Sequence, residues 1–468
     1  VSRVVFVQPL LYEYPGVEAL AAVLAREGHE VRVVVGRRPA AVARRLRPGD
    51  VAAFPVMTGT EGWALAAAAE IKRRAGCFTV FGGPHPTHSP ESCLDPAVDA
   101  VCRGEGEGAL ADLARCLDEG RDPAGIPNLW VRRGADVVRA EVRALVEDLD
   151  ALPPPDRGVY YRDYPLLRTN PHRVFMAGRG CPYACAFCHN EASRELYRGK
   201  GRYVRMRSAA AVVAEVCAVR DRWGAGTVFF HDDTFVLDRR WLAEFLPRYR
   251  DAVGLPFHCA ARADTLDEET VRLLREAGCR SVSFAVESGD EGLRNAVLAK
   301  GVTRAQIVAA AALLKRHGIR VVTFNMLGLP GESLAQAWET VRLNAEIGAD
   351  HPRCSFLTAY PGTRIARALP PGGRPGAIGG WSQQSGPAAA TGDAARLRNV
   401  HAFFQTAVLF PRLQPALRLL ARLPPNPLFR AWWAIVYFAV FVRGEGRSPL
   451  RTLVMGWYSS APRSRRGF

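Results

Sequence analysis

Apolar residues in the first hundred positions come in short unbroken runs: Val4–Val7, Val31–Val35, Val51–Val56, Phe78–Phe81 and Val98–Cys102. Between them, Val17–Glu27 and the Ala-rich Trp63–Arg74 carry apolar residues at helical spacing, and Gly28 stops the first. Unbroken runs suit strands covered on both faces. Strands alternating with helices predict an α/β unit, a doubly wound parallel sheet of Rossmann-like type over residues 1–125. Ligands of such sheets lie beyond the carboxyl ends of the strands, which directs attention to Pro55–Trp63, Gly82–Glu91 and Gly104–Gly108.

Residues 126–169 read as a linker with a hairpin, Leu129–Arg139 around Arg133-Gly134, and a stiff Pro153-Pro154-Pro155. From 170 to 365 the alternation resumes. Strands are expected at Val174–Ala177, Thr227–His231, Phe257–Ala260, Ser281–Val286, Arg320–Met326 and Arg353–Thr358, with helices such as Ser208–Trp223 and Glu268–Ala277 between them. Six successive units predict a partial (β/α)6 barrel with its chemistry at the strand C-termini. Residues 366–394 are rich in Gly, Pro, Ala and Ser and read as a flexible segment, and 395–468 as a helical C-terminal domain.

Length and composition add limits. A chain of 468 residues predicts about three domains. Basic residues outnumber acidic ones, 62 to 46, for a net charge of +16, yet no interleaving of aromatic and basic residues points to nucleic acid. The chain opens on a buried strand, so no signal peptide is expected. Eleven cysteines are then better read as thiols of a reducing cytoplasm than as a disulfide framework. The longest strongly apolar run, Ala431–Val442, is 12 residues, short of the roughly 20 that a spanning helix needs. It reads as part of a helical cover over the barrel mouth. With Arg430, Arg443, Arg447 and Arg451 around it, it also reads as a peripheral contact on the inner membrane face.

The chemistry concentrates at Gly180-Cys181-Pro182-Tyr183-Ala184-Cys185-Ala186-Phe187-Cys188, a C-x3-C-x2-C loop between a strand and a helix. Three thiolates there can hold three irons of a cubane cluster and leave the fourth iron open. A zinc loop would want a fourth ligand, and the adjacent His189 is poorly placed to be one.

This loop resembles the signature of the radical S-adenosylmethionine (SAM) superfamily, including the aromatic Phe187 before the third cysteine. The resemblance extends along the barrel. Asp232, in Phe229-Phe230-His231-Asp232-Asp233, resembles a contact to the SAM amino group; Arg262, Glu287 and Ser288 resemble positions at its carboxylate and ribose; Leu327, in Met326-Leu327-Gly328-Leu329-Pro330-Gly331-Glu332, lies where adenine would sit. Tyr360-Pro361-Gly362-Thr363 follows the sixth strand.

The first region is similar to the cobalamin-binding domain fused ahead of many radical SAM enzymes, through Gly82-Gly83-Pro84-His85-Pro86-Thr87 and Gly104-Glu105-Gly106-Glu107. The resemblance implies that Thr58, Gly59, Thr60, Gly82, Gly83, His85, Thr87, Gly104 and Glu105 cradle the corrin and its tail. The D-x-H-x-x-G sequence of many cobalamin proteins is absent, since Gln8–Gly16 holds no His. The cobalt would then lack a ligand from below, or the domain would be a corrin-free relic. Cys77, Cys93, Cys102 and Cys116 are too irregular for a second cluster, and none follows Cys354.

Together the resemblances imply a [4Fe–4S] cluster, SAM and cobalamin as cofactors. They also imply a C-methyltransferase acting on an unactivated carbon of a small-molecule biosynthetic intermediate, through a 5′-deoxyadenosyl radical and methylcobalamin. An external donor of flavodoxin or ferredoxin type would supply electrons. The alternatives are a non-methylating cyclase or rearrangement enzyme similar to the anaerobic porphyrin ring cyclase, and a cobalamin- or SAM-sensing protein. The catalytic acid or base is unknown; His189, Asn190, Tyr203, His231 and Asn325 are candidates by position alone.

Overall fold

The computed structural model describes residues 2–369, 393–445 and 448–459. Most of the Gly/Pro-rich segment of the sequence reading, residues 370–392, lies outside the described residues.

The first sheet has seven strands: β1 (Arg3–Gln8), β2 (Glu30–Val35), β3 (Val51–Pro55), β4 (Phe78–Gly82), β5 (Ala100–Cys102), β6 (Leu129–Arg133) and β7 (Asp136–Arg139), in the order β2-β1-β3-β4-β5-β6-β7. The first five are parallel. Val4 and Phe6 feed one core with Ala53 and Val80 under helices Pro15–Arg26 and Glu107–Asp118. Val5 and Val7 feed another with Phe54 and Phe81 under helix Glu61–Ala75. Burial on both faces is why the strands read as unbroken apolar runs. The hairpin expected in the linker instead extends this sheet: β6 pairs antiparallel with β5, and β7 with β6.

The second sheet is entirely parallel. It contains β8 (His172–Phe175) and, after the two-residue ribbon strands β9 (Gly178–Arg179) and β10 (Arg205–Met206), β11 (Thr227–Phe230), β12 (Phe257–Ala261), β13 (Cys279–Glu287), β14 (Arg320–Leu327) and β15 (His351–Phe356). They lie in sequence order, the open half-barrel arrangement. Ser208, Asp238 and Asp267 each cap the helix that follows, and Thr303 and Ser333 form capping boxes with Gln306 and Gln336. These caps fix where each helix starts, and so how long each loop at the strand ends is.

The edge strand β15 is covered. Helix Ala394–Leu409 lies along it, where His401 Nε2 donates to the Cys354 carbonyl at 3.1 Å and Gln405 Nε2 to that of Pro352 at 3.2 Å. Covering an edge removes a template for unwanted strand pairing. Helix Pro427–Glu445 packs outside it through Trp433 and Tyr437.

The two sheets meet through buried charge. The Arg157 guanidinium donates to Glu215 Oε1 at 2.6 Å and to the Val174 carbonyl at 2.7 Å, and Tyr160 donates to Gln8 Oε1 at 2.7 Å. Arg205 and Arg179 both reach Glu105, at 2.6 and 3.1 Å, and Arg179 also takes Glu107 at 2.6 Å. The ribbon that leads into the cysteine loop is thereby fastened to the loop after β5.

Candidate functional site

The cysteine loop leaves β9 through Gly180, which takes φ of +85°. A Cβ there would stand 2.5 Å from the Tyr203 carbonyl, so only glycine fits. Cys181 is buried, with Sγ 4.0 Å from Thr234 Oγ1. Cys188 sits at the N-cap of helix His189–Leu196, and its Sγ accepts from the Asn190 backbone N–H at 3.5 Å and from Asn190 Nδ2 at 3.4 Å. Tyr203 donates to Asn190 Oδ1 at 2.8 Å and holds that amide in place. Burial pushes the Cys181 and Cys188 thiols up, so stable thiolates there call for positive charge such as iron supplies.

Among the described residues no three His, Cys, Asp or Glu side chains gather around one metal ion. A single zinc would need all its ligands within about 2.3 Å of one point. A cubane takes each thiol on a different iron, so a more open triangle suits it. The donor set, three thiols with no fourth protein ligand, fits a cluster with one open iron.

Beside the loop, the Arg262 guanidinium stacks 3.6 Å from the Tyr183 ring centroid, with Nη1 3.8 Å from Cys185 Sγ. Asp264 holds it with two hydrogen bonds of 3.0 Å, and the Lys300 carbonyl accepts from it at 2.8 Å. Lys300 itself is buried and ion-paired to Glu287 at 3.3 Å, with its Nζ 6.0 Å from the Phe187 ring centroid. Glu287 takes φ of +62° where the β13–β14 register shifts. A non-glycine residue in that region stores backbone strain, a habit of ligand-binding positions. Burial raises the Glu287 carboxyl and Lys300 opposes the rise. Phe187 packs with Leu293, Leu298, Met326 and Leu329.

Other expected SAM positions stand differently. Asp232 is buried and spends both oxygens on the backbone N–H groups of Ala177 and Gly178, at 3.1 and 2.6 Å; burial lifts its carboxyl to about 6. It ties the end of β11 to the connection between β8 and β9, and each oxygen keeps a lone pair for a further donor. Its neighbour Asp233 is exposed and lies in the electrostatic field of Cys181 and Cys188. Ser288 is fully buried; its carbonyl accepts from Arg294 and its hydroxyl from the Asp290 N–H. Leu327 is fully buried within β14. Asn325 is locked to Thr323, Asn344 and the Arg353 carbonyl, a packing role. His189 stacks on His88 with ring centroids 4.6 Å apart and lies 5.1 Å from Tyr360, bridging the two sheets' loops.

A cavity of about 500 Å³ opens between the two sheets. Its walls come from the first sheet (Phe6, Ala53, Val80), the loops Gly82–Pro84 and Gly104–Glu107, and Met176, Gly178 and Arg179 of the second half. The expected Gly82, Gly83, Gly104 and Glu105 line it. Thr58, Gly59, Thr60, His85 and Thr87 do not. Their polar groups are spent inside the loops: Thr58 Oγ1 with His85 Nδ1 at 3.0 Å, His85 Nε2 with Ser92 at 2.9 Å, Thr60 with the Met57 carbonyl at 2.8 Å, Thr87 with the Gly83 carbonyl at 2.7 Å, and the Gly59 N–H with Glu61. They shape the loops rather than the lining. Glu105 lines the cavity with its carboxylate committed; burial works to raise it, and the Arg205 and Arg179 guanidiniums hold it below the usual range.

The cavity is lined mainly by apolar side chains and glycine backbone. A Cβ added to Gly82 would meet only Cys102 Cβ, at 3.7 Å, and so would project into the space. Deeper in, Glu18 and Arg157 line the cavity as a buried ion pair, with Arg157 Nε 4.0 Å from Glu18 Oε2; that Nε and Glu18 Oε1 have no hydrogen-bond partner among the described residues. Buried polar atoms left open in this way want a ligand's polar groups. The spacing of residues gave no sign of Arg157 or Lys300, because their partners Glu215 and Glu287 are 58 and 13 residues away in the chain.

The comparisons agree with both halves. The Radical SAM superfamily model matches residues 176–343, and the B12 binding domain model matches residues 4–114. The chain belongs to the cobalamin-binding radical SAM enzymes. Its cofactors are those of the family: SAM with a [4Fe–4S] cluster, and cobalamin. Among curated relatives, an uncharacterized methyltransferase of Pyrococcus horikoshii is 28% identical over 74% of this chain and 76% of its own. The anaerobic magnesium-protoporphyrin IX monomethyl ester cyclase of Rubrivivax gelatinosus is 28% identical over 62% of this chain and 53% of its own. Two solved structures share the fold. The radical SAM methyltransferase TsrM from Kitasatospora setae, with cobalamin and [4Fe–4S] cluster bound, has a TM-score of 0.64 at 22% identity, over 78% of this chain and 74% of that one. The cobalamin-dependent radical enzyme OxsB, with aqua-cobalamin and SAM bound, has a TM-score of 0.69 at 15% identity, over 98% of this chain and 79% of that one.

Proposed function

We propose that this radical SAM enzyme methylates an unactivated carbon of a small biosynthetic intermediate. The observation that carries the reading is the cavity: the loops after β4 and β5 face Gly178 and Arg179, two to three residues before Cys181. A corrin held in this cavity would lie against the ribbon that leads into the cysteine loop, which favours holding the reacting partners close. The names of relatives lean the same way, since the Pyrococcus protein and TsrM are both called methyltransferases.

When bound, these cofactors supply a 5′-deoxyadenosyl radical and a transferable methyl group. The chain's own residues do the rest. Cys181, Cys185 and Cys188 would hold three irons, and the Asn190 N–H groups steady the Cys188 sulfur. Arg262, fixed by Asp264 and Tyr183, places a positive charge beside Cys185, where a carboxylate of SAM can pair with it. Glu287 with Lys300 supplies a buried acceptor and donor one strand away, and Phe187 an apolar wall. Phe6, Ala53, Val80 and Met176 keep the corrin side of the chamber apolar. An external flavodoxin- or ferredoxin-type donor is part of this reading.

The test is an anaerobic incubation of the loaded enzyme with SAM carrying a deuterated methyl group and small-molecule extracts of candidate pathways. A product that gains the intact labelled methyl, and is lost with Cys185→Ala, is the expected result. Formation of 5′-deoxyadenosine with altered but unlabelled products would overturn methylation in favour of cyclisation or rearrangement.

A further inference from the structure

The C-terminal helices carry a surface unlike the rest of the molecule. Fourteen large apolar side chains are exposed among the described residues, and ten of them fall between Phe410 and Leu453. Helix Pro427–Glu445 is apolar on two sides. Phe429, Trp433, Tyr437 and Phe441 form the inner side, with Trp433 and Tyr437 buried against Ala402. On the other, Leu428 and Ile435 are 78% and 65% exposed at helical spacing; Trp432 between them is 45% exposed and donates its indole N–H inward to Thr406 Oγ1 at 2.9 Å. Leu419 and Leu423, on the segment before it, are 65% and 47% exposed. A helix that only covered a barrel edge would carry polar residues on its outer side.

The charge on this layer is predominantly positive. From Ala394 to Gly444 the chain contains seven Arg and not one Asp, Glu or Lys. Arg412, Arg422 and Arg430 are exposed, and no acidic partner is found for them among the described residues. No described helix is long and apolar enough to cross a membrane. Exposed apolar side chains on a layer that also exposes Arg412 and Arg422 match a surface that is itself layered, negative outside and apolar beneath.

We propose that this C-terminal layer seats the enzyme on an anionic lipid bilayer, with Leu428 and Ile435 in the acyl boundary and Arg412 and Arg422 among the headgroups. A second copy of the chain is a poor occupant. A two-fold contact through this face would set these arginines against their own equivalents, and residues 394–444 offer no carboxylate to pair with them.

The experiment is flotation of the full, cluster-loaded chain with vesicles of phosphatidylcholine alone or mixed with phosphatidylglycerol. The protein is expected to float with the mixed vesicles, to be released by salt, and to stay behind with phosphatidylcholine alone. Leu428→Glu with Ile435→Glu should abolish flotation without changing iron content or circular dichroism. Arg412→Gln and Arg422→Gln should each weaken it roughly fivefold. Two results would overturn the proposal: no flotation with mixed vesicles at low salt, or flotation unchanged by all four substitutions. A lipid-free dimer that Ile435→Glu splits would overturn it as well, by making a second copy the occupant.

Discussion

Lys300 Nζ and Glu287 Oε1 stand 3.3 Å apart, each side chain less than a tenth exposed. They join the end of β13, where the backbone is strained, to the turn whose carbonyl holds Arg262. Breaking one side of a buried pair leaves an uncompensated charge and costs about 3–5 kcal/mol. Lys300→Met is therefore expected to lower the apparent unfolding temperature sharply. Burial already raises the Glu287 carboxyl, and removing Lys300 raises it further. A raised carboxyl contributes stability at low pH that is lost as pH rises through its folded value. The deficit of Lys300→Met should thus be larger at pH 8 than at pH 5, as measured by anaerobic thermal melts at both.

The corrin side can be tested without substrate. Gly82 lies in β4, where Val is compatible with the strand, and a side chain there would project into the cavity. Gly82→Val should cut bound cobalamin at least about tenfold, because filling the space displaces a ligand that needs it. Iron content should stay unchanged. Cobalamin absorbance and iron per protein measure the two separately.

Much of this architecture was legible in the chain. The unbroken apolar runs announced two parallel sheets because strands buried on both faces cannot alternate, and the cysteine spacing sits where a loop must follow a strand. Single side chains were less legible. Asp232 sits at the expected strand end, but spacing gave no sign that it also accepts from the backbone N–H groups of Ala177 and Gly178, 55 and 54 residues away. Thr58 and His85 satisfy each other across 27 residues. Lys300 had no pattern to reveal it, since its partner is fixed by the fold rather than by spacing. The hairpin Leu129–Arg139 was visible as a hairpin; that it continues the first sheet depended on β5 offering a free edge.

Glu332 provides a pH-dependent check of the loop after β14. Its carboxylate accepts from the N–H groups of Gly328 and Leu329, and burial pushes it up to about 7. A folded-state value above the unfolded one contributes stability that is full below about 4.5 and disappears as pH rises through 7. Relative to Glu332→Gln, which cannot titrate, the wild-type chain should lose on the order of 3 kcal/mol between those limits. Denaturant titrations of both proteins from pH 4.5 to 8 read the difference; parallel curves would refute the assignment.

The central claim, that SAM serves as a methyl donor to the corrin half of this enzyme as well as a ligand of its cluster, is tested most directly by counting S-adenosylhomocysteine. The enzyme, loaded anaerobically with cluster and cobalamin and reduced, is given SAM without substrate. The account predicts one S-adenosylhomocysteine per bound cobalamin, a yield reduced in step with bound cobalamin in Gly82→Val, and none from protein never given cobalamin. Production of 5′-deoxyadenosine with no S-adenosylhomocysteine, in enzyme shown to hold cobalamin, would contradict it.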